Sequence, residues 1–562
     1  APSNQVQSAF PLLDVEIGGG MSTAYNHRVR MYSEDMPSLH TVLLANGVNC
    51  LGYYMYHGGT NPHSLKNHSD CPESTLQESS FQLAGAQNPM NSVSYDFFAP
   101  LSEFGVPRTH YHQMRRLHLF LRNFGGTHVA HASYRSPSNS SLRWGVRSKN
   151  SSGFLFVNNH ERLANLATVK DVRFNLVLNG ASMSIPSNHS DALVVNSGTW
   201  FVWPFQFTFE GVSIGWATCQ ILCYVQDPEK NSSVLILSAT APDVDVEIAI
   251  HQSSDITTHG TATSSFESPW TVVRNITPST SSQITVSNLD IIVLPGDQAD
   301  RVWKGSFMGN DRVFISDDSV NFVMTEENEI HLRVNTSLNN EMGTMIVNVS
   351  MFPFTPLTIL EEASSKIKTS RDGVFTRLHV PVQTRPLPHV SWTLRKESNM
   401  LRPLINAPSS KTQEPTCEDW DTYPSEYDVT INFTSYNPRD ELRLAVQYDG
   451  DSARFLFKDK LLADNWFSGY DVGPGQMEVG LSYLSEENPG LLPDDLNDGS
   501  FAVGCTLKIL PLNRSVIDSR IYIQSGHWPN FNESGIALGV RNLVPLRLSY
   551  VTLVSSTGKF VQ

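Results

Sequence analysis

The stretch Phe10-Pro11-Leu12-Leu13-Asp14-Val15-Glu16 decides how the first part of the chain folds, because an apolar run ends there in a carboxylate. The run from Leu12 to Val15 has the apolar density of a β-strand that is covered on both faces, as in a parallel sheet. The glycines Gly18-Gly19-Gly20 follow, and they let the chain turn sharply and lie close to a ligand. We therefore predict a catalytic role for Glu16, with a solvated strand cap as the alternative.

Residues 1–126 have the pattern of a βα unit. A helix is predicted to start at Asp35, and a second strand is predicted at Gly52-Tyr53-Tyr54-Met55-Tyr56. A closing helix is predicted from about Pro107 to Phe124, and Gly125 is expected to end it. Strand, helix and strand within about forty residues indicate a parallel sheet or a barrel.

Beyond residue 127 the chain has short segments of alternating apolar residues, separated by turns of Gly, Pro, Asn and Ser. This pattern predicts β-sandwich or jelly-roll modules. The predicted division is an α/β part at 1–126, a β domain at 127–299, a β-sandwich domain at 300–401, a proline-rich linker at 402–425 and a C-terminal jelly-roll domain at 426–562.

The composition favours a soluble globular protein with a neutral or cationic ligand. Of the 562 residues, 40% are hydrophobic and 17% are charged, and the formal net charge is −15. An acidic surface repels nucleic acid and anionic membranes, so neither is expected as a partner. No stretch approaches the length of a transmembrane helix, and the polar start lacks the features of a signal peptide, so no membrane span is expected.

No metal site and no cofactor are predicted. The six cysteines have no paired Cys-x-x-Cys spacing, which disfavours structural zinc. His110 and His112 form a His-x-His at a helix start without a third ligand nearby. The glycines after Glu16 lack the Lys-Ser/Thr of a phosphate loop, and no Gly-x-Ser-x-Gly elbow of an α/β-hydrolase occurs.

Asn-x-Ser/Thr acceptors for N-glycosylation are spread over the whole chain. Their number favours a glycosylated protein of the secretory pathway over a cytosolic one, so the expected location is extracellular or a lysosome-like compartment. The candidates are Asn67, Asn139, Asn150, Asn188, Asn231, Asn275, Asn335, Asn348, Asn432, Asn513 and Asn532.

Two segments closely resemble signatures of the family 35 glycoside hydrolases, the retaining β-galactosidases. They are Tyr53-Tyr54-Met55-Tyr56-His57-Gly58-Gly59-Thr60-Asn61-Pro62 and Ser94-Tyr95-Asp96-Phe97-Phe98-Ala99-Pro100-Leu101-Ser102-Glu103-Phe104-Gly105. Val15-Glu16-Ile17-Gly18-Gly19-Gly20-Met21 resembles the nucleophile strand of one branch of the family. Further similar segments, which extend the resemblance over almost the whole chain, lie at residues 75–79, 153–159, 201–205 and 464–469.

The resemblance implies a multidomain protein of α/β and all-β parts. Residues 1–126 would be the C-terminal portion of a catalytic (β/α)₈ TIM barrel, with its last two strands. Glu16 would be the nucleophile, Tyr54 would contact the galactose, and His57 would line the pocket as a hydrogen-bonding residue. The alternatives are a core aromatic for Tyr54 and a structural role for His57.

Three positions depart from the better-known members of the family. Those members carry a tyrosine where this chain has Phe97, an aspartate at Phe98 and another tyrosine at Gly18. Each departure removes a polar contact, which bears on the fine specificity of the site.

The acid/base glutamate of the family, in an Asn-Glu motif on the fourth barrel strand, is expected before the nucleophile, and this chain does not supply it. Asn340-Glu341 resembles the motif but follows Glu16 and falls in the β region, so it is interpreted as a chance match. Two strands cannot close a barrel, because open edges and an apolar interior would face water. We therefore predict that the chain is the C-terminal product of a cleaved precursor and that an N-terminal chain completes the barrel.

The predicted function is that of a retaining exo-β-galactosidase that hydrolyses terminal β-galactosides, active only with the N-terminal chain that carries the acid/base. The expected partners are that chain and a galactoside or glycan ligand. The alternative is a non-catalytic, glycan-binding or structural protein derived from a β-galactosidase. The missing acid/base and the sequons, including Asn67 near the expected pocket mouth, motivate this alternative.

Overall fold

The computed structural model describes residues 11–555 of the chain with internal gaps. The gaps are residues 22, 62–89, 130–132, 139, 179–180, 242, 252–255, 325–328, 361–365, 399, 404–413, 471–476, 495–498 and 525. Most of the described chain consists of β-strands, with a few short helices. The expectation of all-β domains after the α/β part is therefore confirmed.

The first part of the chain forms a strand, a helix and a second strand in the predicted order. Strand β1 (Leu12–Ile17) pairs in parallel with strand β3 (Val48–Tyr53), and helix α1 (Asp35–Ala45) lies between them in the chain. Strand β2 (His27–Arg28) precedes α1 and pairs with Tyr522–Ile523 near the other end of the chain.

The sheet of β1 and β3 is open at both edges within the described residues, where neither strand has a further neighbour. Leu13 is 56% exposed and Val15 is 76% exposed. The prediction that the strand is covered on both faces is therefore wrong for this chain alone, because these two side chains face solvent. The described residues contain a βα unit and no closed barrel.

Helix α2 (Thr109–Phe124) closes the α/β part, and its buried face includes Met114, Leu117 and Phe120. Gly125 does not end the helix as predicted. Its backbone stays helical, and a π-helical turn continues over Gly125–Val129, which brings Val129 into the same hydrophobic core as the helix. Burial of Val129 outweighs the tendency of glycine to stop a helix.

The first sheets of the β region enclose a core that also takes up side chains of α1 and α2, among them Leu44 and Phe120. In spatial order, the strands of one sheet are Thr263–Glu267, Trp270–Arg274, Ile248–His251, Val212–Ala217, Thr199–Phe209, Ser152–Asn159, Arg143–Lys149 and Ser133–Arg135. Those of the facing sheet are Gln220–Asp227, Ser232–Ala239, Leu289–Pro295, Gln283–Val286 and Ile256–Thr258. Smaller antiparallel pairs join Phe174–Leu178 to Ala181–Ile185 and Val169–Val172 to Leu193–Val195.

The remaining sheets lie further along the chain. One contains, in order, Val302–Phe307, Asn310–Ser316, Gly343–Phe352, Phe375–Thr384 and Lys368–Asp372. Another contains Val320–Met324, Ile330–Asn335, Gly539–Ser555, Glu441–Asp449 and Met477–Val479, with Leu357–Ile359 also paired to Gly539–Ser555. A third contains His389–Lys396, Ser425–Phe433, Phe501–Leu510, Ser452–Phe457 and Lys460–Trp466, and Leu512–Asn513 pairs separately with Ile536–Ala537.

Short helices connect some of these strands. They are Gly296–Ala299, Cys417–Thr422 and Leu481–Ser485, together with a 3₁₀ turn at Arg514–Val516. In the part of the chain that the structure describes, no helix is long and apolar enough to cross a membrane.

Strand pairing crosses the predicted boundaries at residues 401 and 426. The last strand, Gly539–Ser555, pairs with both Ile330–Asn335 and Glu441–Asp449, so one sheet contains strands of two predicted domains. His389–Lys396 likewise pairs with Ser425–Phe433. The residues 402–425 therefore connect two strands of one sheet. Their proline-rich composition indicates a stiff chain, but it does not determine which strands pair.

The α/β part is attached to the C-terminal sheets by buried polar contacts. Arg28 Nη2 lies 2.5 Å from Asp451 Oδ1, and the Tyr25 hydroxyl donates to Asp451 Oδ2 at 2.6 Å. Tyr25 and Phe104 also lie in the hydrophobic core of those sheets. The α/β part therefore packs against the C-terminal sheets through Tyr25 and Phe104, which lie far apart in its own sequence.

Candidate active site

Glu16 lies one residue before the end of β1, and its side chain is exposed in the described chain. The next residue, Ile17, is buried and anchors the end of the strand. The pKa of the Tyr95 hydroxyl is raised, mainly by burial, next by its contact with Tyr54, and also by the carboxylate of Glu16. Glu16 therefore lies close enough to Tyr95 for its charge to act on that hydroxyl.

Tyr54, Tyr95 and Phe97 form an aromatic cluster next to Glu16. The hydroxyl oxygens of Tyr54 and Tyr95 are 2.9 Å apart and share a hydrogen bond. The ring of Phe97 lies 5.3 Å from the ring of Tyr54, edge to face, and 5.4 Å from the ring of Tyr95. The aromatic cluster thus presents hydroxyl groups and an apolar ring side by side, as a sugar with polar edges and apolar faces requires.

Two of the three glycines after Glu16 pack against the backbone of the chain itself. A Cβ atom on Gly19 would lie 2.0 Å from the carbonyl oxygen of Met55, and one on Gly20 would lie 2.1 Å from that of Phe97. Only glycine permits such an approach, which brings the end of β1 against the aromatic cluster. These two glycines thereby position the segments that surround Glu16, and their expected approach to a ligand stays a prediction.

The loop after strand β5 (Ser94–Tyr95) holds Phe97 in an uncommon backbone conformation. Phe97 and Phe98 have φ values of 61° and 50°, in the left-handed region that residues other than glycine seldom adopt. Arg108 Nη2 lies 2.7 Å from Asp96 Oδ2, and the amide of Glu103 donates to Asp96 Oδ1 at 2.9 Å. These contacts close the loop and hold the strained residues in place.

Glu103 is a buried carboxyl group beneath the aromatic cluster. The hydroxyls of Thr60 and Ser94 each donate to one of its carboxyl oxygens at 2.6 Å, and Thr60 belongs to strand β4 (Gly59–Thr60), which pairs with β5. Burial raises the pKa of Glu103 well above its usual range, and the carboxylates of Asp96 and Asp464 act in the same direction, whereas the two hydroxyl groups lower it. Glu103 connects β4, β5 and the loop.

Sequence reasoning did not single out Tyr95 or Glu103, although both lie in the Ser94–Gly105 segment that carries the family resemblance. The signal for Tyr95 was its alternation with Phe97 across one intervening residue, which places both side chains on one face of an extended chain. The signal for Glu103 was a charged residue in the largely apolar, proline-containing run from Phe97 to Gly105, where it must find partners.

His57 lies three residues after Tyr54 and contacts Gly58 and Gly105. Its Nδ1 atom lies 2.5 Å from the carbonyl oxygen of Gly58, and its Nε2 atom faces Gly105, where an added Cβ would be 3.5 Å away. The side chain is exposed. Tyr54, in contrast, belongs to the aromatic cluster, and a pocket role for His57 stays a prediction.

A cavity of about 450 Å³ borders the aromatic cluster on the side of Tyr95 and Phe97. Its opposite wall comes from the C-terminal sheets, through residues such as Asp464, Asn465 and Glu478. This volume is within the usual range of small-molecule sites. The cavity therefore lies between the loop after β5 and the C-terminal sheets.

Glu341 lies far along the chain from Glu16, exposed and just before the strand Gly343–Phe352. It is part of a hairpin region in which the carbonyl of Glu341 accepts a hydrogen bond from Thr384. This placement in the β region agrees with its interpretation as a chance match to the acid/base motif.

The predicted glycosylation sites differ in exposure. The structure places six of them at exposed positions, counting only residues that it describes: Asn150, Asn188, Asn231, Asn275, Asn335 and Asn532. The half-buried ones are Asn348, Asn432 and Asn513, while Asn67 and Asn139 lie outside the described residues. Asn348 donates to Asp317 and contacts His379 from the middle of a strand, which leaves its amide less accessible for modification.

Within the described residues, no group of three or more His, Cys, Asp or Glu side chains could hold a metal ion. Burial lowers the pKa of His110 to about 4 and that of His112 to about 4, so both are neutral near pH 7. His110 contacts the carbonyl of Phe98 through Nε2 at 3.1 Å. His110 therefore supports the loop that carries Phe97 and Phe98.

A family model described as glycosyl hydrolases family 35 matches residues 2–121. No curated protein matches the chain. Among solved structures, a rhamnosidase from Novosphingobium sp. PP1Y is 11% identical with a TM-score of 0.16, over 48% of this chain and 27% of that chain. A family 31 α-xylosidase from Xanthomonas citri is 10% identical with a TM-score of 0.11, over 76% of this chain and 38% of that chain. The chain spans less than half of either protein, and both similarities are too weak to support an argument.

Proposed function

We propose that the chain, whose residues 2–121 match the glycosyl hydrolases family 35, carries the nucleophile of a retaining exo-β-galactosidase. Glu16 attacks the anomeric carbon of a terminal β-galactoside while a second carboxyl group, about 5 Å away, protonates the departing oxygen. The glycosidic bond breaks and a glycosyl ester forms on Glu16. Water then attacks this ester, gives its proton to the second carboxylate and releases the sugar.

The observation that carries this proposal is the position of Glu16 at the C-terminal end of β1, against the aromatic cluster. The C-terminal ends of strands are where barrel enzymes place their catalytic groups. A tyrosine hydroxyl is protonated near pH 7, so the Tyr54–Tyr95 pair can donate a hydrogen bond to a sugar hydroxyl. Phe97 offers its ring to an apolar face of the sugar.

We further propose that strands outside the described residues complete the barrel and supply the acid/base, as an N-terminal chain of the same precursor. The exposed Leu13 and Val15 support this, because apolar side chains on an open parallel sheet are normally covered by neighbouring elements. The exposed sequons support a secreted or lysosome-like location for the assembled glycoprotein.

A non-catalytic, glycan-binding protein is the second candidate, and the exposure of Glu16 favours it. A nucleophile normally lies in a pocket that excludes water, whereas Glu16 faces solvent in the described chain. The two candidates differ in one respect that can be measured, namely whether Glu16 forms a covalent bond with a substrate.

The test uses the native protein with every chain that co-purifies with it. We expect hydrolysis of an aryl β-galactoside, a fall of about a thousandfold or more in Glu16→Gln, and wild-type rates in Glu161→Gln. Glu161 is a matched control because it is exposed and lies 3.8 Å from Arg143 on the surface of the β region. A 2-deoxy-2-fluoro-galactoside should add its glycosyl mass to the peptide that contains Glu16.

Equal rates for the wild-type protein and Glu16→Gln would reject the enzyme in favour of the binding protein. Mass spectrometry of the same preparation tests the partner. Full activity of a preparation that contains no second chain would contradict the two-chain proposal while leaving the role of Glu16 intact.

A further inference from the structure

Asp464 is a buried carboxylate of the C-terminal domain whose oxygens point to the backbone of the α/β part. It belongs to the strand Lys460–Trp466 and is 3% exposed. Asp464 Oδ2 accepts from the amide of Ser92 at 2.5 Å, and Oδ1 accepts from the amides of Val93 at 3.0 Å and Ser94 at 2.9 Å. One carboxylate thus takes three consecutive backbone donors.

Further contacts reinforce this attachment. Val93 is fully buried and packs against Leu456 and Leu461 of the C-terminal domain. The amide of Trp466 donates to Asn91 Oδ1 at 3.1 Å. The segment that enters β5 is therefore bound to the C-terminal domain by polar and apolar contacts, and we refer to the contacts of Asp464 and Val93 as the clasp.

The clasp acts immediately before the aromatic cluster. Ser94, which donates its amide to Asp464, also donates its hydroxyl to Glu103 and precedes Tyr95 in β5. Tyr95 in turn contacts Tyr54, so the chain of contacts from Asp464 reaches the group beside Glu16 within a few residues. Hydrogen bonds to a charged acceptor are the strong ones, and three of them on adjacent amides fix the direction of the strand.

We propose that Asp464 is a positioning residue, which holds β5 from the C-terminal domain so that Tyr95 and Phe97 face Glu16. This rests on the proposed function for its catalytic consequence, while the attachment of β5 can be measured without it. The C-terminal domain then has a defined task in the reaction, because it sets the geometry of the sugar-facing loop. Displacement of a positioned group by about 1 Å can lower a rate about a hundredfold.

The test compares Asp464→Asn with Asp440→Asn in the complete native protein. Asp440 is a matched control, because it is a similarly buried carboxylate of the C-terminal sheets and its partner, 3.8 Å away, is Arg385 and not a backbone amide of residues 92–94. In Asp464→Asn we expect kcat for an aryl β-galactoside to fall about tenfold or more, and KM to change little. The amides of residues 92–94 should exchange with deuterium faster, as read by mass spectrometry, and neither change should occur in Asp440→Asn.

A second variant, Val93→Ala, loosens the clasp from the other side and leaves the strand of Asp464 intact. Val93→Ala should also lower kcat and speed up amide exchange at residues 92–94, as Asp464→Asn does. The double variant should show less than the sum of the two effects, because both substitutions act on one contact. Faster exchange with an unchanged kcat in both variants would overturn the positioning role. A raised KM with an unchanged kcat would overturn it in favour of direct contact between Asp464 and the substrate.

If the wild-type protein does not hydrolyse galactosides, the proposed function is rejected but the clasp is not. Amide exchange alone then tests whether Asp464 holds β5. Exchange at residues 92–94 that rises in Asp464→Asn and stays constant in Asp440→Asn supports the attachment of β5, and equal exchange in both variants overturns it.

Discussion

Two parallel strand pairs of this chain differ in what surrounds them. Ser232–Ala239 pairs in parallel with Leu289–Pro295, and the central residues of both strands are fully buried. β1 pairs in parallel with β3, yet Leu13 and Val15 remain exposed. The hydrogen bonding is of the same kind in both pairs, so the difference must come from their neighbours.

The buried pair has a strand on each side, Gln220–Asp227 at one edge and Gln283–Val286 at the other. No described strand flanks β1 or β3 on its outer edge. An apolar run of this kind is stable in water only when adjacent strands and a covering layer remove it from solvent. The comparison teaches that a parallel strand pair buries its apolar side chains only when strands flank it on both sides, and β1 and β3 have no such neighbours among the described residues.

The largest expected effect comes from placing a charge on the exposed face of β1. Val15→Asp should prevent association with the completing chain and thereby abolish hydrolysis, because the variant would bury an unpaired carboxylate among apolar side chains. Loss of the apolar contact together with this desolvation should weaken association by about a thousandfold or more. Co-purification and the rate of aryl galactoside hydrolysis measure the effect.

Val177→Asp is the matched control in the β region. Val177 is 73% exposed, close to the 76% of Val15, and it lies on the strand Phe174–Leu178. We expect this variant to associate and to hydrolyse substrate like the wild-type protein. If Val15→Asp also assembles and works normally, the face of β1 is not an interface, and the comparison of the two strand pairs loses its functional meaning.

A smaller effect is expected inside the α/β part, where the glycines act on its own packing. Gly19→Ala would bring a Cβ atom to 2.0 Å from the Met55 carbonyl oxygen, so the end of β1 must shift away from the aromatic cluster. A shift of this kind should lower kcat/KM about a hundredfold. The melting temperature should fall as well.

Gly18→Ala provides the control, because its Cβ atom would meet nothing closer than the Gly20 carbonyl oxygen at 3.4 Å. This variant should keep nearly wild-type kinetics and stability. Equal losses in both variants would indicate that glycine flexibility matters along the whole segment, and not the close approach at Gly19.

The local sequence pattern predicted the strands and helices well, but it did not predict which distant strands pair. The run Leu12 to Val15 predicted a strand, which the structure contains, and the motif around it singled out Glu16 as the candidate, because strand propensity and motif spacing are properties of neighbouring residues. Whether Val15 is covered depends on strands elsewhere. In the same way, nothing in the composition of Gly539–Ser555 specifies that it pairs with Ile330–Asn335, which is more than two hundred residues away in the chain.

The candidate site shows the same difference between what a local motif predicts and what long-range contacts determine. Tyr54 was predicted because it lies in a contiguous motif, whereas the contact of Tyr95 with Tyr54 depends on how the loop after β5 folds against β3. The contact of Asp464 with Ser94 joins residues that are 370 positions apart. Such contacts follow from the packing of whole domains, so a motif can name the chemistry of a site before it can name the residues that hold it in shape.

The smallest expected effect concerns pH and Glu103, the buried carboxyl group of the α/β part. Its pKa is raised above the ordinary 4.5, first by burial and then by Asp96 and Asp464, so the folded protein holds a proton that the unfolded chain releases. The stability that this proton confers is fully present below pH 4.5 and is lost as the pH rises through the folded-state pKa.

Glu103→Gln cannot ionise, and either orientation of its amide can be matched by rotation of the Thr60 and Ser94 hydroxyls. Between pH 4.5 and neutral pH, the melting temperature of the wild-type protein should therefore fall relative to that of Glu103→Gln, whereas Glu161→Gln, a change on the surface of the β region, should follow the wild-type profile. Parallel profiles for the wild-type protein and Glu103→Gln would mean that Glu103 is ionised in the folded state, and its two hydroxyl donors would then outweigh its burial.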